Sequence, residues 1–384
     1  MSVSTAAPSP ESRLQGLLDF LQHDQDNLGL IAEAAAAALD AGNLAELERL
    51  TERHESLAPL TPTMLGLRGV ALLSRGDPSA AAALFETLFL EAPDNPAIGF
   101  NLAWARGLTG DYAGALESLP HAVAAGVPGA AALQVRALHH LGRVDEALAQ
   151  GKALAEQRPG DQDLAAAVSQ VAIDAEQLDL ARHFGERAGP QPDGLASLGA
   201  VCLNDNKVEE ALAYYDQALK GDPNNARALL GQGLGLLIRN QETVAAERLT
   251  QAAEIFGDHP GAWIVAGWAR YILGDRAASR AAFERALAAD DTFAESHGGL
   301  AVLDAVEGQY DNARRRVDVA LRLDRACFSG ILARSMLLEH EGEPDKAARI
   351  RQIALNTPIA PDGRTIASSL VALAPGRRGR PDAP

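Results

Sequence analysis

The feature that most constrains the fold is a residue pattern that recurs about every 34 positions along the chain. The ten recurring positions are separated by 34, 34, 32, 34, 30, 34, 34, 34 and 34 residues. Most are glycine or asparagine, which tolerate the left-handed conformation that ends a helix before the chain reverses. The pattern therefore predicts ten helix–turn–helix hairpins. These register residues are Gly42, Gly76, Gly110, Gly142, Glu176, Asn206, Asn240, Gly274, Gly308 and Gly342.

Small side chains occupy two further offsets from the register residue. Five residues after it the side chain is Ala or Ser in nine of ten repeats, and seven residues before it the side chain is small in all but one. Small residues at paired offsets let two antiparallel helices approach closely. Bulky residues such as Phe85 and Tyr215 fill the space between the helices. In four repeats a proline ends the second helix, at Pro59, Pro93, Pro159 and Pro223.

This pattern resembles the tetratricopeptide repeat family, and the likeness covers residues 28–356. The resemblance implies an all-α, right-handed α-solenoid of about ten helical hairpins with short capping helices. Glu176, Gly151, Gly185 and Arg351 depart from the family pattern, so we expect looser packing there. The residues that carry the resemblance best are Tyr214, Tyr215, Ala211, Ala218 and Pro223 in one repeat, and Trp263, Gly267, Gly274, Phe283 and Ala286 in another.

The shortest spacing between register residues predicts where the array divides. Four residues are missing around the segment 189–192, which reads Gly-Pro-Gln-Pro, and we expect a junction between two sets of five repeats there. The expected organisation is a disordered arm at 1–13, a capping helix at 14–27, repeats at 28–191 and 192–356, a capping helix at 357–374 and a mobile tail at 375–384.

Composition and charge indicate which classes of partner the chain binds and in which compartment it lies. The chain carries 34 basic and 51 acidic residues, a net charge of −17, which disfavours nucleic acid and anionic lipid as partners. The first residues contain no apolar stretch typical of a signal peptide, and no later window predicts a membrane helix. We therefore expect a cytoplasmic protein without membrane insertion, and the scarcity of lysine suggests a bacterial source. Cys202 and Cys327 predict two reduced structural thiols.

No arrangement of residues predicts catalysis, a cofactor or a metal. The glycines at 231, 233 and 235 imitate part of a dinucleotide loop, but Leu236 stands where another glycine is needed. Neighbouring residues of a helix point about 100° apart, so His139 and His140 are poorly placed to bind one ion together. We expect no enzymatic activity, no cofactor and no metal.

The resemblance implies that the first helices of the hairpins line a concave surface that binds ligands. Lys, Asn and Arg are scarce at the outward positions, so a carboxylate-binding clamp is not expected. The alternative is that the apolar residues pack against neighbouring helices; this weighs more for the Leu and Val residues than for the two Trp residues. The candidate partner-binding residues are Val70, Leu73, Phe100, Trp104, Arg136, His139, Leu230, Leu234, Leu237, Ile264, Trp268, Tyr271, Val302 and Met336.

The sequence therefore predicts a non-enzymatic scaffold or adaptor that binds a partner's peptide or helix in an apolar groove. The expected partner carries apolar anchors, with basic residues beside them to match the negative charge. Two alternatives stay open. One is a homo-oligomeric assembly protein, and the other is an accessory or targeting subunit of an enzyme, such as an envelope-polymer synthase or a transferase.

Overall fold

The computed structural model describes residues 9–356, and that part of the chain forms 22 α-helices and no strand. The expected all-α solenoid of helical hairpins is confirmed. The chain separates into two compact units, the first ending at Ala175 and the second beginning at Glu176. Between residues 9 and 356 no helix is long and apolar enough to span a lipid bilayer.

Unit 1 contains a leading helix, four helical hairpins and one further helix. The second helix of its third hairpin is divided into α7 and α8. The helices are α1 (Pro10–Leu21), α2 (Leu28–Asp40), α3 (Leu44–Leu57), α4 (Pro62–Ser74), α5 (Pro78–Glu91), α6 (Pro96–Leu108), α7 (Tyr112–Ser118), α8 (Pro120–Ala124), α9 (Ala130–His140), α10 (Val144–Gln157) and α11 (Gln162–Asp174).

Unit 2 contains one helix followed by five complete hairpins. The helices are α12 (Leu178–Arg187), α13 (Pro192–Asn204), α14 (Val208–Gly221), α15 (Ala226–Ile238), α16 (Glu242–Phe256), α17 (Pro260–Ile272), α18 (Arg276–Ala289), α19 (Ala294–Val306), α20 (Tyr310–Leu323), α21 (Phe328–His340) and α22 (Pro344–Asn356).

All ten register residues lie at a turn and have a positive φ angle. The seven glycines adopt φ between 67° and 84°, and Asn206 and Asn240 adopt 59° and 54°. Glu176 adopts 56°, where a side chain with a Cβ is strained. The predicted corners are therefore confirmed, including the one that lacks a preferred residue.

An aromatic ring in the second helix holds each of three hairpins together. The ring of Phe85 lies against Gly69 of its own hairpin, so closely that a Cβ on Gly69 would be 2.5 Å from the ring. Phe283 packs in the same way against Gly267 and against Gly299 of the next hairpin. Because only glycine leaves room for the ring, the small residues of the repeat fix the distance between the helices.

The expected loose packing at Gly151 and Gly185 is wrong. A Cβ on Gly151 would lie 2.6 Å from a methyl group of Val168, and one on Gly185 would lie 2.9 Å from Leu198. Larger neighbours fill the space that each glycine leaves. In each of these repeats a glycine of one helix therefore packs closely against an aliphatic residue of the next helix.

The two compact units meet between Ala175 and Glu176, one helix before the expected junction at 189–192. That segment joins α12 to α13 inside unit 2, where the two helices pack tightly. A Cβ on Gly194 would lie 2.4 Å from the Cβ of Ala188, and one on Gly185 would lie 3.2 Å from the carbonyl oxygen of Gly194. The four missing residues therefore shorten a connection within a unit.

The leading helix begins earlier than the sequence predicts. Ser9 caps α1 by accepting a hydrogen bond from the amide of Ser12, so residues 10–13 are helical and do not belong to an arm. The helix ends at Leu21, and residues 22–27 connect it to α2. The expected capping helix at 357–374, the tail at 375–384 and residues 1–8 of the expected arm lie outside the described residues.

The third hairpin of unit 1 departs most from the repeat. Pro120 divides its second helix, because proline has no amide hydrogen to continue the helical ladder. The Arg106 guanidinium donates hydrogen bonds of 2.9 Å to the Gly114 carbonyl and to the Ser118 hydroxyl beside the break. Arg158 donates to the Val123 carbonyl at the end of α8. Two arginines thus stabilise the divided helix.

Two glycines of α4 provide a test of the close contact with the aromatic ring. Gly69→Ala places a methyl group against Phe85, so we expect the free energy of unfolding to fall by roughly 1–3 kcal/mol. Gly66 has no atom within 4 Å of its Cβ position, and Gly66→Ala is expected to raise the free energy by about 0.5–1 kcal/mol. Urea unfolding followed by circular dichroism measures both. Equal effects of the two substitutions would contradict the packing argument.

Candidate functional site

Helix α6 presents three apolar residues, spaced four apart, on one face. Trp104 is 40% exposed, Leu108 is 54% exposed and Phe100 is half-buried. Residues four apart lie on the same face of a helix, and the rings of Phe100 and Trp104 are tilted with their centroids 6.2 Å apart. We call these three residues the α6 ridge.

The α6 ridge lies on a helix that packs between α4 and α9. Val70 and Leu73 of α4 are half-buried and pack against the core cluster that contains Phe85. They belong partly to the core and partly to the surface beside α6. The ring of Phe100 lies over Gly129, where a Cβ would be 3.5 Å from the ring.

The two polar residues of the predicted partner-binding set, Arg136 and His139, lie on α9, and both are half-buried. His139 is held by α11, because its Nε2 atom lies 2.9 Å from a carboxylate oxygen of Asp174. His140 instead stacks on Tyr112, with ring centroids 4.2 Å apart. The two histidines therefore have different partners. Within residues 9–356 no group of three or more potential metal ligands occurs.

Two predicted site residues of unit 2 are corrected by their burial. Ile264 is 8% exposed and Val302 is 1% exposed, so both belong to the core and neither reaches a partner. Ile264 packs in the cluster that includes Trp263 and Phe283. The reason is that the neighbouring first helices cover these positions, as the packing alternative anticipated.

Trp268 differs from Trp104 although both stand six residues before a register residue. The Trp268 ring meets the edges of Tyr271 and Phe283, at centroid distances of 5.4 and 5.5 Å. Trp268 and Tyr271 each contact two core clusters, and Met336 packs on one of them. Trp268 therefore packs against residues of two neighbouring hairpins, and most of its indole is covered by other side chains of this chain.

The remaining members of the predicted set lie on α15. Leu230 and Leu237 are half-buried against the cluster around Phe283, whereas Leu234 is exposed. Ile272, one turn beyond Trp268, is 57% exposed. Unit 2 thus exposes aliphatic residues such as Leu234, Ile272 and Leu273, while the exposed surface of the α6 ridge in unit 1 includes an indole.

The sequence prediction omitted Leu108 and Ile272. Both stand two residues before a register residue, one helical turn beyond a Trp. Following the outward face in steps of four residues would have found them. The prediction followed the positions ten, six and three residues before the register residue and did not include the position two residues before it.

Arg106 of α6 and Arg68 of α4 each form an ion pair with a glutamate. The Arg106 guanidinium contacts Glu86, and the Arg68 guanidinium contacts Glu55, each at 2.9 Å. Residues 1–175 contain 22 acidic and 10 basic residues, a net charge of −12, and much of the excess lies on second helices. The four glutamates of α3 are an example: Glu46, Glu48, Glu52 and Glu55.

Three buried groups have raised pKa values, which favour their neutral, protonated forms. Burial raises the pKa of the Cys327 thiol to about 12, and burial also raises the pKa values of Cys202 and Tyr215. The Cys327 sulfur accepts a hydrogen bond from the Gly330 amide and caps α21. Raised pKa values keep these groups protonated and unreactive at neutral pH.

Comparisons with known proteins agree with the helical repeat. A tetratricopeptide repeat family model matches residues 32–96 and 203–260. No curated protein sequence matches the chain. The two matched segments lie in different units and include register residues of both.

Solved structures similar to this chain are also helical repeat proteins. Human IFIT1, solved as a dimer with m7Gppp-AAAA, is 12% identical, covers 93% of this chain and 97% of its own, and has a TM-score of 0.53. MamA is 22% identical over 41% of this chain and 92% of its own, with a TM-score of 0.35. PilF of Pseudomonas aeruginosa is 20% identical over 49% and 88%, with a TM-score of 0.42. The IFIT1 likeness shows the fold alone.

Truncating the two tryptophans is expected to lower stability by different amounts. Trp268→Ala removes a ring packed against Tyr271 and Phe283, so we expect the free energy of unfolding to fall by roughly 3 kcal/mol. Trp104→Ala removes a more exposed ring and should lower it by less than about 1 kcal/mol. Guanidinium unfolding of both variants measures the difference. A larger loss for Trp104→Ala would show that the α6 ridge is part of the core.

Proposed function

Because this chain belongs to the tetratricopeptide repeat family, we propose that it is a non-enzymatic scaffold that binds a segment of a partner protein on the α6 ridge. The observation that carries the proposal is the exposure of Trp104 between Phe100 and Leu108. A partly exposed indole in an apolar patch is typical of an interaction surface. Buried tryptophans are also common anchors of protein interfaces, where truncation costs about 2 kcal/mol or more.

The proposed partner presents apolar anchors to the α6 ridge and carries basic residues beside them. The ridge itself supplies no charged side chain, so the contacting face of the partner is apolar. The surrounding negative charge favours lysine and arginine outside that face, chiefly through faster association at low salt. The predicted residues Val70, Leu73, Arg136 and His139 border the proposed surface.

A protein partner fits the electrostatics better than RNA does. Human IFIT1 is solved with the oligonucleotide m7Gppp-AAAA, but this chain carries a net charge of −17. Binding of a phosphate backbone depends on clustered lysine and arginine, whereas residues 1–175 carry 22 acidic and only 10 basic residues. We therefore propose that a protein segment occupies the ridge. As the sequence predicts, we also propose that the chain acts in the cytoplasm without membrane insertion.

Partner capture with a matched control tests the proposed function. Wild type and Trp104→Ala are used to capture proteins from a lysate of the organism that encodes the chain, and the captured proteins are quantified by mass spectrometry. Leu90→Ala serves as the control, because Leu90 is an exposed apolar residue on α5. We expect at least one partner to be lost by roughly tenfold with Trp104→Ala and kept with Leu90→Ala.

Retention of every partner by a folded Trp104→Ala variant would contradict the proposed surface. Sedimentation analysis over a range of concentrations separates the homo-oligomer alternative. A concentration-dependent mass that Trp104→Ala abolishes would identify the partner as a second copy of this chain. An accessory or targeting role would appear as an enzyme among the captured proteins.

A further inference from the structure

Helix α6 has a glycine where its neighbours carry large side chains. Gly107 stands three residues before the register residue, and the equivalent residues are Leu73 on α4 and His139 on α9. A Cβ on Gly107 would meet only one atom within 4 Å, a methyl carbon of Leu133 at the ordinary contact distance of 3.6 Å. The chain therefore leaves beside Gly107 a space that fits a methyl group in ordinary contact with Leu133. We call it the Gly107 notch.

The Gly107 notch is unlike the glycine contacts that build the hairpins. Gly69 faces the Phe85 ring and Gly99 faces the Ser118 carbonyl oxygen, each with a Cβ position only 2.5 Å away. At those sites any larger residue would push the helices apart. At Gly107 the helices would tolerate a side chain, and glycine inside a helix costs about 0.5–1 kcal/mol relative to alanine. Packing within the chain thus gives no reason for glycine here.

The notch adjoins the α6 ridge. Gly107 is three residues beyond Trp104 on the same helix and directly precedes Leu108. Residues three apart on a helix are neighbours on its surface, so Trp104 and Gly107 lie on the same side of α6. Leu133 of α9, which is almost fully buried, is the nearest side chain at the position of the missing Cβ. The space is therefore bordered by apolar groups.

We propose that the Gly107 notch receives one large aliphatic side chain, Leu, Ile or Met, from an amphipathic helix of the partner protein. This inference rests on the proposed function of the α6 ridge. From Phe100 to Leu108 the ridge rises about 12 Å, which equals about two turns of a bound helix. Two turns present three or four apolar anchors on one face of the bound helix.

The charges of this chain indicate which residues the partner's helix carries on its two faces. The only charged residue of α6 is Arg106, which is occupied by Glu86 and by the oxygens of Gly114 and Ser118. The part of the bound helix that lies on α6 therefore meets apolar side chains. Unit 1 has a net charge of −12, so the opposite face of the helix carries lysine or arginine.

Filling the notch tests the inference without removing any contact. The probe is a phage-displayed library of helical peptides of about 16 residues, with Lys and Arg on one face and random residues at positions i, i+3, i+4 and i+7 of the other. Peptides selected on wild type are titrated by calorimetry against Gly107→Leu, Gly107→Ala and Trp104→Ala. Gly66→Ala is the matched control, because it fills open space on α4.

We expect the selected peptides to share one large aliphatic residue and to bind Gly107→Leu at least about tenfold more weakly than wild type. Replacing that residue by alanine should weaken binding to wild type but hardly change binding to Gly107→Leu, which shows that the two sites interact. Gly107→Ala is expected to keep or raise the unfolding midpoint, so its weaker peptide binding would not reflect misfolding.

The outcomes separate this inference from the function on which it rests. Peptides that lose affinity for Trp104→Ala but bind both Gly107 variants as tightly as wild type would overturn the notch and leave the ridge as the binding surface. A selection that yields no peptide sensitive to Trp104 or Gly107 would contradict both the notch and the proposed function.

Discussion

The contact between an aromatic ring and a glycine is the constraint on which the rest of the fold depends. In three hairpins the ring of the second helix lies where the Cβ of a first-helix residue would be, as Gly69 with Phe85 and Gly267 with Phe283 show. This contact sets the distance between the two helices of a hairpin. The same Phe283 ring also reaches Gly299, so one side chain positions the next hairpin as well. In unit 2 the rings of Tyr215 and Phe283 each contact the first helices of two successive hairpins, which keeps those helices in register.

The surface that we propose for partner binding lies in the hairpin that departs most from the repeat. Its second helix is divided at Pro120, and Arg106 stabilises the break from the side opposite to a ligand by binding Gly114, Ser118 and Glu86. Phe100, the first residue of the α6 ridge, lies over Gly129. Trp104 and Leu108 then remain partly exposed while the rest of the hairpin packs regularly. Irregular local structure and exposed apolar area thus occur together.

The sequence predicted the hairpin corners well and the burial of individual side chains poorly. Every register residue has a positive φ angle, because the left-handed corner is a local requirement that a sequence period records. Trp104, Trp268 and Val302 stand at the same offset from a register residue, yet only Trp104 is exposed. Tyr271 of the same helix and Phe283 of the same hairpin cover much of Trp268, and the repeat period does not record which side chains cover a given position. The error at Gly151 has the same origin, since Val168 fills its space.

Fluorescence of single-tryptophan variants tests the account most directly, since the chain has only Trp104, Trp263 and Trp268. Trp263 is nearly buried and donates a hydrogen bond of 2.6 Å to the Gly257 carbonyl, and Trp268 is packed against two rings. A variant that keeps only Trp104 should therefore emit at longer wavelength and be quenched more strongly by acrylamide than variants that keep Trp263 or Trp268, with phenylalanine at the other two positions. Equal protection of all three indoles would contradict an exposed α6 ridge.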